Sequence, residues 1–188
     1  FPSREDRRDV GAWEYLVHGL ARKAGIEVPE SRLLSLSGAQ CTFCVRRFDR
    51  VADSRRMVAS TMTLLGRHDG EAGASYLDLA LLIQDHGAPG GIEADLEQLF
   101  RRVIFNVMVG NRDDHLRNHA CVRTPGGWRL APAYDMNPNV EKAEHSLALD
   151  ARQTIPDLAL VAATAPFYRM ESRQAERIIQ ELREAVSE

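Results

Sequence analysis

Val109-Gly110-Asn111-Arg112-Asp113-Asp114-His115-Leu116-Arg117-Asn118 is the stretch on which the reading of this chain turns. Upstream, Leu96, Leu99, Phe100, Val103, Ile104, Val107 and Met108 give the segment from about Ala94 to Val109 an apolar face wide enough for a central core helix, and Gly110 ends it. Downstream, Ala120-Cys121-Val122 and Trp128-Arg129-Leu130 flank Thr124-Pro125-Gly126-Gly127, the composition of a hairpin turn. A polar cluster is therefore launched from a rigid, buried element and followed by a hairpin. That hairpin is expected to return Asp135, in the apolar frame Leu130-Ala131-Pro132-Ala133-Tyr134-Asp135-Met136, to the side of Asn118.

Working outward, Trp13, Leu16, Val17, Leu20 and Ala24 recur at helical steps from Val10 to Ala24, with Asp9 as N-cap and Gly25 as the stop. Arg32 to Leu36 and Cys41 to Phe48 read as two short antiparallel strands joined by Ser37-Gly38-Ala39. Helical patterns run over 56–65 and 72–84, and Gly87-Ala88-Pro89-Gly90-Gly91 breaks the chain between helices. Pro156 to Ala163 and Glu171 to Val186 read as closing helices, the second with Ile178, Ile179, Leu182 and Val186 inward.

Composition bounds the function classes. The 188 residues are 44% hydrophobic and 27% charged, enough material for one core, and 24 Lys and Arg against 27 Asp and Glu give a net charge of -3. Nothing in that balance advertises direct nucleic-acid binding. No apolar run is long enough for a bilayer, and the charged opening residues exclude a signal-peptide core, so a cytoplasmic setting is expected. Three cysteines form no disulfide framework, in keeping with a reducing compartment. The absence of an initiating Met suggests a fragment.

Three residues carry the chemistry. Asp113 and Asn118 stand five positions apart, and Asp135 follows across the hairpin. Two metal-type oxygen ligands brought together would repel or stand idle without a cation, and magnesium suits a pair of protein ligands because it takes the remainder from phosphate and water. The spacing is that of the protein-kinase catalytic loop, H-R-D-x-x-x-x-N, in which the Asp accepts the substrate hydroxyl proton, the Asn holds magnesium and a later Asp holds magnesium against the nucleotide phosphates. Arg112, Asp113 and Asn118 match it, and Asn111 replaces its leading His. Asp114 reads as structural, and His115 as a phosphate contact or a loop-orienting residue. A solvated, capped turn is the bland alternative for the whole loop.

Other constellations are weaker. His115 and His119 have the four-residue step of a helical zinc pair, as in metal-dependent hydrolases, but Asn118-His119 enters a strand, where that step is lost. Cys41-Thr42-Phe43-Cys44 has no second pair, and a strand would turn its two sulfurs to opposite faces.

The loop, with Leu130-Ala131-Pro132-Ala133-Tyr134-Asp135, resembles the N-x-D-x-H-x-[KR]-N and L-x-P-x-Y-D motifs of the C-terminal domain of HipA-like serine/threonine kinases. The resemblance extends to Phe1-Pro2-Ser3, Glu14, Ala24-Gly25, Arg47-Phe48-Asp49-Arg50 and Ser75-Tyr76, and weakens after about Asp150. It implies an α+β, mainly α-helical, protein-kinase-like C-lobe with short β-hairpins and with the N-lobe largely missing. Residues 1–50 would be the remnant of the small lobe, with an αC-like helix and hinge strands, and residues 51–188 the helical lobe with the catalytic loop and the metal-binding Asp.

The resemblance further implies Asp113 as catalytic base and Asn118 and Asp135 as Mg2+ ligands. His115, Leu116, Arg117 and Tyr134 would line ATP, Arg46, Arg47 and Phe48 would form the hinge beside the adenine, and Glu14 would stand where a helix glutamate pairs with the ATP-binding lysine. Position 46 is often acidic in that family and is Arg46 here. The implied partners are a HipB-like DNA-binding antitoxin and a protein substrate, an aminoacyl-tRNA synthetase among the candidates. The only lysines are Lys23 and Lys142, neither in the strand setting of a phosphate-gripping lysine, so the chain alone is expected to transfer phosphoryl groups poorly. A small-molecule kinase of aminoglycoside or sugar type, and a non-catalytic binding or scaffold module, are the alternatives.

Overall fold

The computed structural model describes residues 8–36 and 40–187. The turn expected at Ser37-Gly38-Ala39 and the Phe1-Pro2-Ser3 motif lie outside the described residues. Helix α1 (Val10–Lys23) opens with the Asp9 carboxylate accepting from the Ala12 amide at 3.0 Å and closes where Gly25 adopts φ 72°. The same carboxylate accepts from the Cys41 amide, also at 3.0 Å, so one side chain caps the helix and ties down the next strand pair. Strands β1 (Ser31–Leu34) and β2 (Thr42–Val45) pair antiparallel as expected, and shorter than the sequence pattern implied.

The inward face of α1 differs from the expected one. Val17, His18 and Ala21 are buried, whereas Trp13 and Leu16 are 45% and 52% exposed. Apolar counting alone could not place a histidine inside. His18 is accommodated because its Nδ1 meets Ser31 Oγ at 3.2 Å and its ring packs edge-on to Phe43. Gly11 permits the close approach of the helix to β2, since a Cβ there would lie 2.3 Å from the Cys41 carbonyl oxygen.

After the small hairpin β3 (Arg50–Val51) and β4 (Ser54–Arg55), the segment expected to be helical over 56–65 splits into strand β5 (Val58–Ser60) and a single helical turn, α2 (Thr61–Leu64). The strand exists because β6 (Ala120–Thr124) offers it an antiparallel partner, with Ala59 opposite Cys121, and long-range pairing overrides local periodicity. Helix α3 (Tyr76–His86) starts later than expected, at a reciprocal capping box between Ser75 and Asp78. The loop at 87–91 and helix α4 (Ile92–Val109) follow as read, with Gly110 at φ 72° ending α4.

Strand β7 (Gly127–Leu130) completes the three-stranded sheet β5-β6-β7 and is anchored to α4. The buried Asp95 carboxylate accepts from Arg129 Nε at 2.8 Å, Arg129 Nη2 at 3.0 Å and the Leu130 amide at 3.0 Å. Helices α5 (Leu158–Ala163) and α6 (Ser172–Ser187) close the core. Leu99, Phe100, Val103 and Ile104 of α4, Ile178 and Leu182 of α6, and Val17 and Ala21 of α1 share one buried cluster. The consequence for the site is that α4 is held on several sides, so the loop leaving its C-terminus starts from a fixed point.

Candidate active site

A cavity of about 670 Å³ opens where α4 hands over to the loop, and Asp113, Asn118 and Asp135 all line it, with Asn111, Asn137 and Glu141. The loop is built around its buried half. Asp114 is buried, and its Oδ2 accepts from Tyr76 Oη at 2.6 Å and Asn106 Nδ2 at 2.9 Å, and meets His119 Nε2 at 2.7 Å. Asn111 Nδ2 donates to Asn106 Oδ1 at 3.0 Å, so the end of α4 grips the loop twice. Burial alone would raise the Asp114 carboxyl, but His119 and the Tyr76 hydroxyl outweigh it and hold the group below the usual carboxylate range. The structural role expected for Asp114 is thus given specific partners.

With Asp114 facing inward, its neighbour Asp113 is turned into the open cleft. Asn118 ends a short 3-10 turn over Leu116–Asn118 and is itself buried. Asp135 has φ 57°, a left-handed conformation that Asp tolerates better than most side chains and that costs backbone energy; such conformations gather at functional sites. Burial, followed by the negative charges of Asp114 and Asp113, raises the Asp135 carboxyl, while His115 opposes the shift. Asn137 Oδ1 is buried and accepts no hydrogen bond. An amide oxygen left without a donor, in a cavity that Asn118 and Asp135 also line, adds to a set of oxygen donors of the kind a hard divalent cation such as magnesium takes. Among the described residues no three His, Cys, Asp or Glu side chains converge as a metal cage. His119 is committed to Asp114 instead of standing beside His115.

The remaining residues singled out in the sequence are placed as follows. Glu14 reaches the site from α1, half-buried, with its carboxyl raised first by burial and then by the Asp135 charge. Tyr134 donates its hydroxyl to the Arg117 carbonyl at 2.7 Å and stacks on Phe48 with ring centroids 5.8 Å apart, so hinge and loop meet through two rings. Burial pushes the Tyr134 hydroxyl up to about 12. Leu116 is buried, and its carbonyl accepts from Thr61 Oγ1 at 2.8 Å. His115 is half-buried, with Nε2 3.1 Å from Arg117 Nη2, and Arg117 pairs with Asp69. Arg46 pairs with Glu30 at 3.1 Å and Arg47 is bidentate to Asp49 at 2.7 and 2.6 Å. Glu14, His115, Leu116, Arg117, Tyr134, Arg46, Arg47 and Phe48 do not line the large cavity, which takes only Asn118 and Asp135 from the residues expected at the nucleotide. Cys41 and Cys44 are free and half-buried.

Two site features had no sequence signal. Asn137 lies in an irregular stretch whose polarity reads as loop. Lys142 places its Nζ 2.5 Å from Asp113 Oδ1, a juxtaposition made by the return of the chain after Asp135.

Comparison with known proteins agrees with the geometry. Residues 1–188 match the family model described as the HipA-like C-terminal domain. The chain is 29% identical over 148 residues to "Putative kinase" of Haemophilus influenzae, covering 71% of this chain and 43% of that protein. It is 26% identical over 164 residues to "Putative kinase Y4dM" of Sinorhizobium fredii, covering 75% and 37%. The chain therefore spans less than half the length of the curated relatives it matches. Its fold is similar to that of HipA from the Shewanella oneidensis toxin-antitoxin complex with HipB and operator DNA, with a TM-score of 0.75 and 20% identity over 97% of this chain and 50% of that one. It is also similar to the Helicobacter pylori proinflammatory kinase CtkA, with a TM-score of 0.61 and 13% identity over 96% and 84%. The expected α+β, kinase-like fold is borne out, and the chain belongs to the HipA-like C-terminal domain family.

Proposed function

We propose that this chain supplies the catalytic loop and metal site of a protein serine/threonine kinase that transfers the γ-phosphoryl group of ATP. The observation that carries the reading is the convergence of Asp113, Asn118 and Asp135 on one cavity. Residues 1–50 would act as the remainder of the small lobe and residues 51–188 as the helical lobe.

In this reading Asp113, the exposed carboxylate, accepts the proton of the attacking hydroxyl. Asn118 and Asp135 hold Mg2+, with the unbonded Asn137 Oδ1 beside them, and the metal supplies charge neutralisation to the phosphates when bound. Phe48 and Tyr134 form the apolar wall against which a nucleotide base can lie. His115, with Arg117, orients the loop between the two. Glu14 contributes an anion near Asp135 that needs a cationic partner in the assembled site. The whole protein would serve as the toxin of a toxin-antitoxin pair, cytoplasmic, with a HipB-like protein as antitoxin and a protein hydroxyl, such as one on an aminoacyl-tRNA synthetase, as acceptor.

The test is nucleotide-dependent thermal stabilisation and transfer of labelled phosphate to added protein. Ligand at a hundred times its dissociation constant should add about 2.7 kcal/mol to stability. Stabilisation by ATP only with magnesium, abolished in Asp135→Asn and Asn118→Ala, supports the site; stabilisation indifferent to both substitutions sinks it. The second reading is a binding or scaffold module; within this chain Lys23 ends α1 and Lys142 is engaged by Asp113, so neither is a strand lysine. On that reading no nucleotide shift occurs and the chain transfers no phosphate. Labelling of small alcohols in preference to proteins would identify a small-molecule kinase.

A further inference from the structure

Lys142 stands apart from the base and metal assignments, and its half-exposed side chain is tied to the cavity through Asp113. Its Nζ lies 2.5 Å from Asp113 Oδ1 and 2.7 Å from Ser146 Oγ. The segment that bears it is laced to the residue before the base. The Arg112 guanidinium donates to the carbonyls of Val140 and Lys142, and the Ser146 amide donates to the Arg112 carbonyl at 3.0 Å. A lysine on a mobile loop would lose much of its electrostatic value to side-chain and loop entropy. This one is fixed from both sides.

An ammonium at that place is either a plug on the base or a participant in the transfer, and the stereochemistry separates the two. A carboxylate has about four lone-pair sites on two oxygens, and an ammonium has three donors. Lys142 engages Oδ1, which leaves Oδ2 able to accept a hydroxyl proton. Two ammonium donors are used, on Asp113 and Ser146, which leaves one for a further oxygen. Charge points the same way. Among the described residues, Asp113, Asp135 and Glu141 line the cavity with Arg8 as the one cation, a surface whose negative charge disfavours a polyphosphate. A cation on the acceptor side is what such a site needs.

We propose, on the phosphotransfer reading above, that Lys142 is a catalytic residue whose ammonium contacts the phosphoryl group in transit while remaining paired with Asp113. The acceptor hydroxyl oxygen attacks the γ-phosphorus as its proton passes to Asp113 Oδ2. The bond from the γ-phosphorus to the β,γ-bridging oxygen breaks, and its electron pair leaves with ADP. Lys142 keeps its proton throughout and donates its third hydrogen bond to an oxygen of the transferred group. The role differs from that of a strand lysine, which grips the nucleotide from the opposite side.

The test uses the full-length protein carrying Lys142→Met or Lys142→Arg. Calorimetry measures the affinity of ADP and of a non-hydrolysable ATP analogue with magnesium, and steady-state assays measure transfer to protein acceptor. The expected result for Lys142→Met is a fall in kcat of about 100-fold with KM for ATP raised no more than about fivefold. Binding of the ATP analogue should weaken about fivefold with ADP unaffected, and Lys142→Arg should recover part of each loss, since it keeps the cation. Equal or faster transfer by Lys142→Met makes the residue a plug or a bystander and overturns the proposal. Equal weakening of ADP and the analogue overturns it too. If the wild-type protein binds neither nucleotide, the phosphotransfer reading falls and takes the proposal with it; if it binds and transfers, only the assignment of Lys142 is at stake.

Discussion

The proposed catalytic loop at 111–119 and the proposed hinge at 46–50 are both short, polar and charged, and their charges are held in opposite ways. In the loop, Asp114 is buried and satisfied by three side chains, Tyr76 of α3, Asn106 of α4 and His119 just before β6. In the hinge, Arg47 and Asp49 satisfy each other at the surface, with the Arg47 side chain 68% exposed. Buried polar groups without partners are expensive, so a network of that kind fixes geometry as well as contributing stability. An exposed pair is screened and easily replaced by water. One region is held by a buried network, and the other by an exposed pair that can give way.

The largest expected effect breaks the first half of that comparison. Asp114→Ala removes the acceptor of three buried donors, and loss of one partner of such a buried charged group costs about 3–5 kcal/mol. At this chain length each kcal/mol corresponds to roughly 2–4 °C, so the thermal midpoint should drop by on the order of 10 °C. The adjacent Asp113→Ala should leave the midpoint close to wild type while abolishing transfer. Similar midpoints for the two variants would show that the buried network does not anchor the loop.

Tyr76→Phe sharpens the same contrast at a smaller scale. It deletes one hydroxyl donor at 2.6 Å and leaves Asp114 two others, an expected loss of about 1–2 kcal/mol. Because Asn106 Nδ2 also lies 3.2 Å from that hydroxyl, a double variant with Asn106→Ala should be non-additive, as contacting members of one network are. Strict additivity by chemical denaturation would deny the coupling.

Acid titration probes the packing behind the loop and that between α1 and β2. Burial is the main cause of the lowered values of His145, behind the loop, and of His18, between α1 and β2. A histidine kept neutral in the fold takes up its proton more readily in the unfolded chain, where it titrates near 6.5. Its contribution is therefore complete above about pH 6.5 and is lost as pH falls toward the depressed folded value. Thermal midpoints should decline between about pH 7 and 5, and His145→Gln and His18→Gln should each flatten the decline. A wild-type profile level across that range would exclude both.

The same division explains what the sequence could disclose. The helix, glycine stop and hairpin around the loop were legible because each rests on local rules: the spacing from Leu96 to Val107, the left-handed Gly110 and the turn at Pro125-Gly126. The convergence of Asp113, Asn118 and Asp135 followed from the hairpin that links them. Strand β5 was hidden because its pairing partner is far along the chain, and His18 was hidden because its acceptability depends on Ser31 and Phe43. Lys142 was passed over for a related reason. Its sequence context gives no strand and no motif, and only the ties from Arg112 and Ser146 bring it to Asp113.

The smallest expected effect lies in the hinge. Arg47→Ala breaks a bidentate pair with Asp49, which by geometry alone would rank among the stronger ion pairs of the molecule. The exposed guanidinium decides against that ranking: only the Asp49 carboxylate loses its partner, Arg50 stands 3.8 Å from it to take up part of the charge, and the thermal midpoint should move little. Any effect should fall on nucleotide affinity, through the setting of Phe48, the next residue, against Tyr134. Phe48→Ala then serves as the companion variant, because it removes the ring itself and should weaken nucleotide binding more than Arg47→Ala does. A clear loss of stability in Arg47→Ala would mean that the hinge is clamped as tightly as the catalytic loop, and that the two charged segments are held by the same means after all.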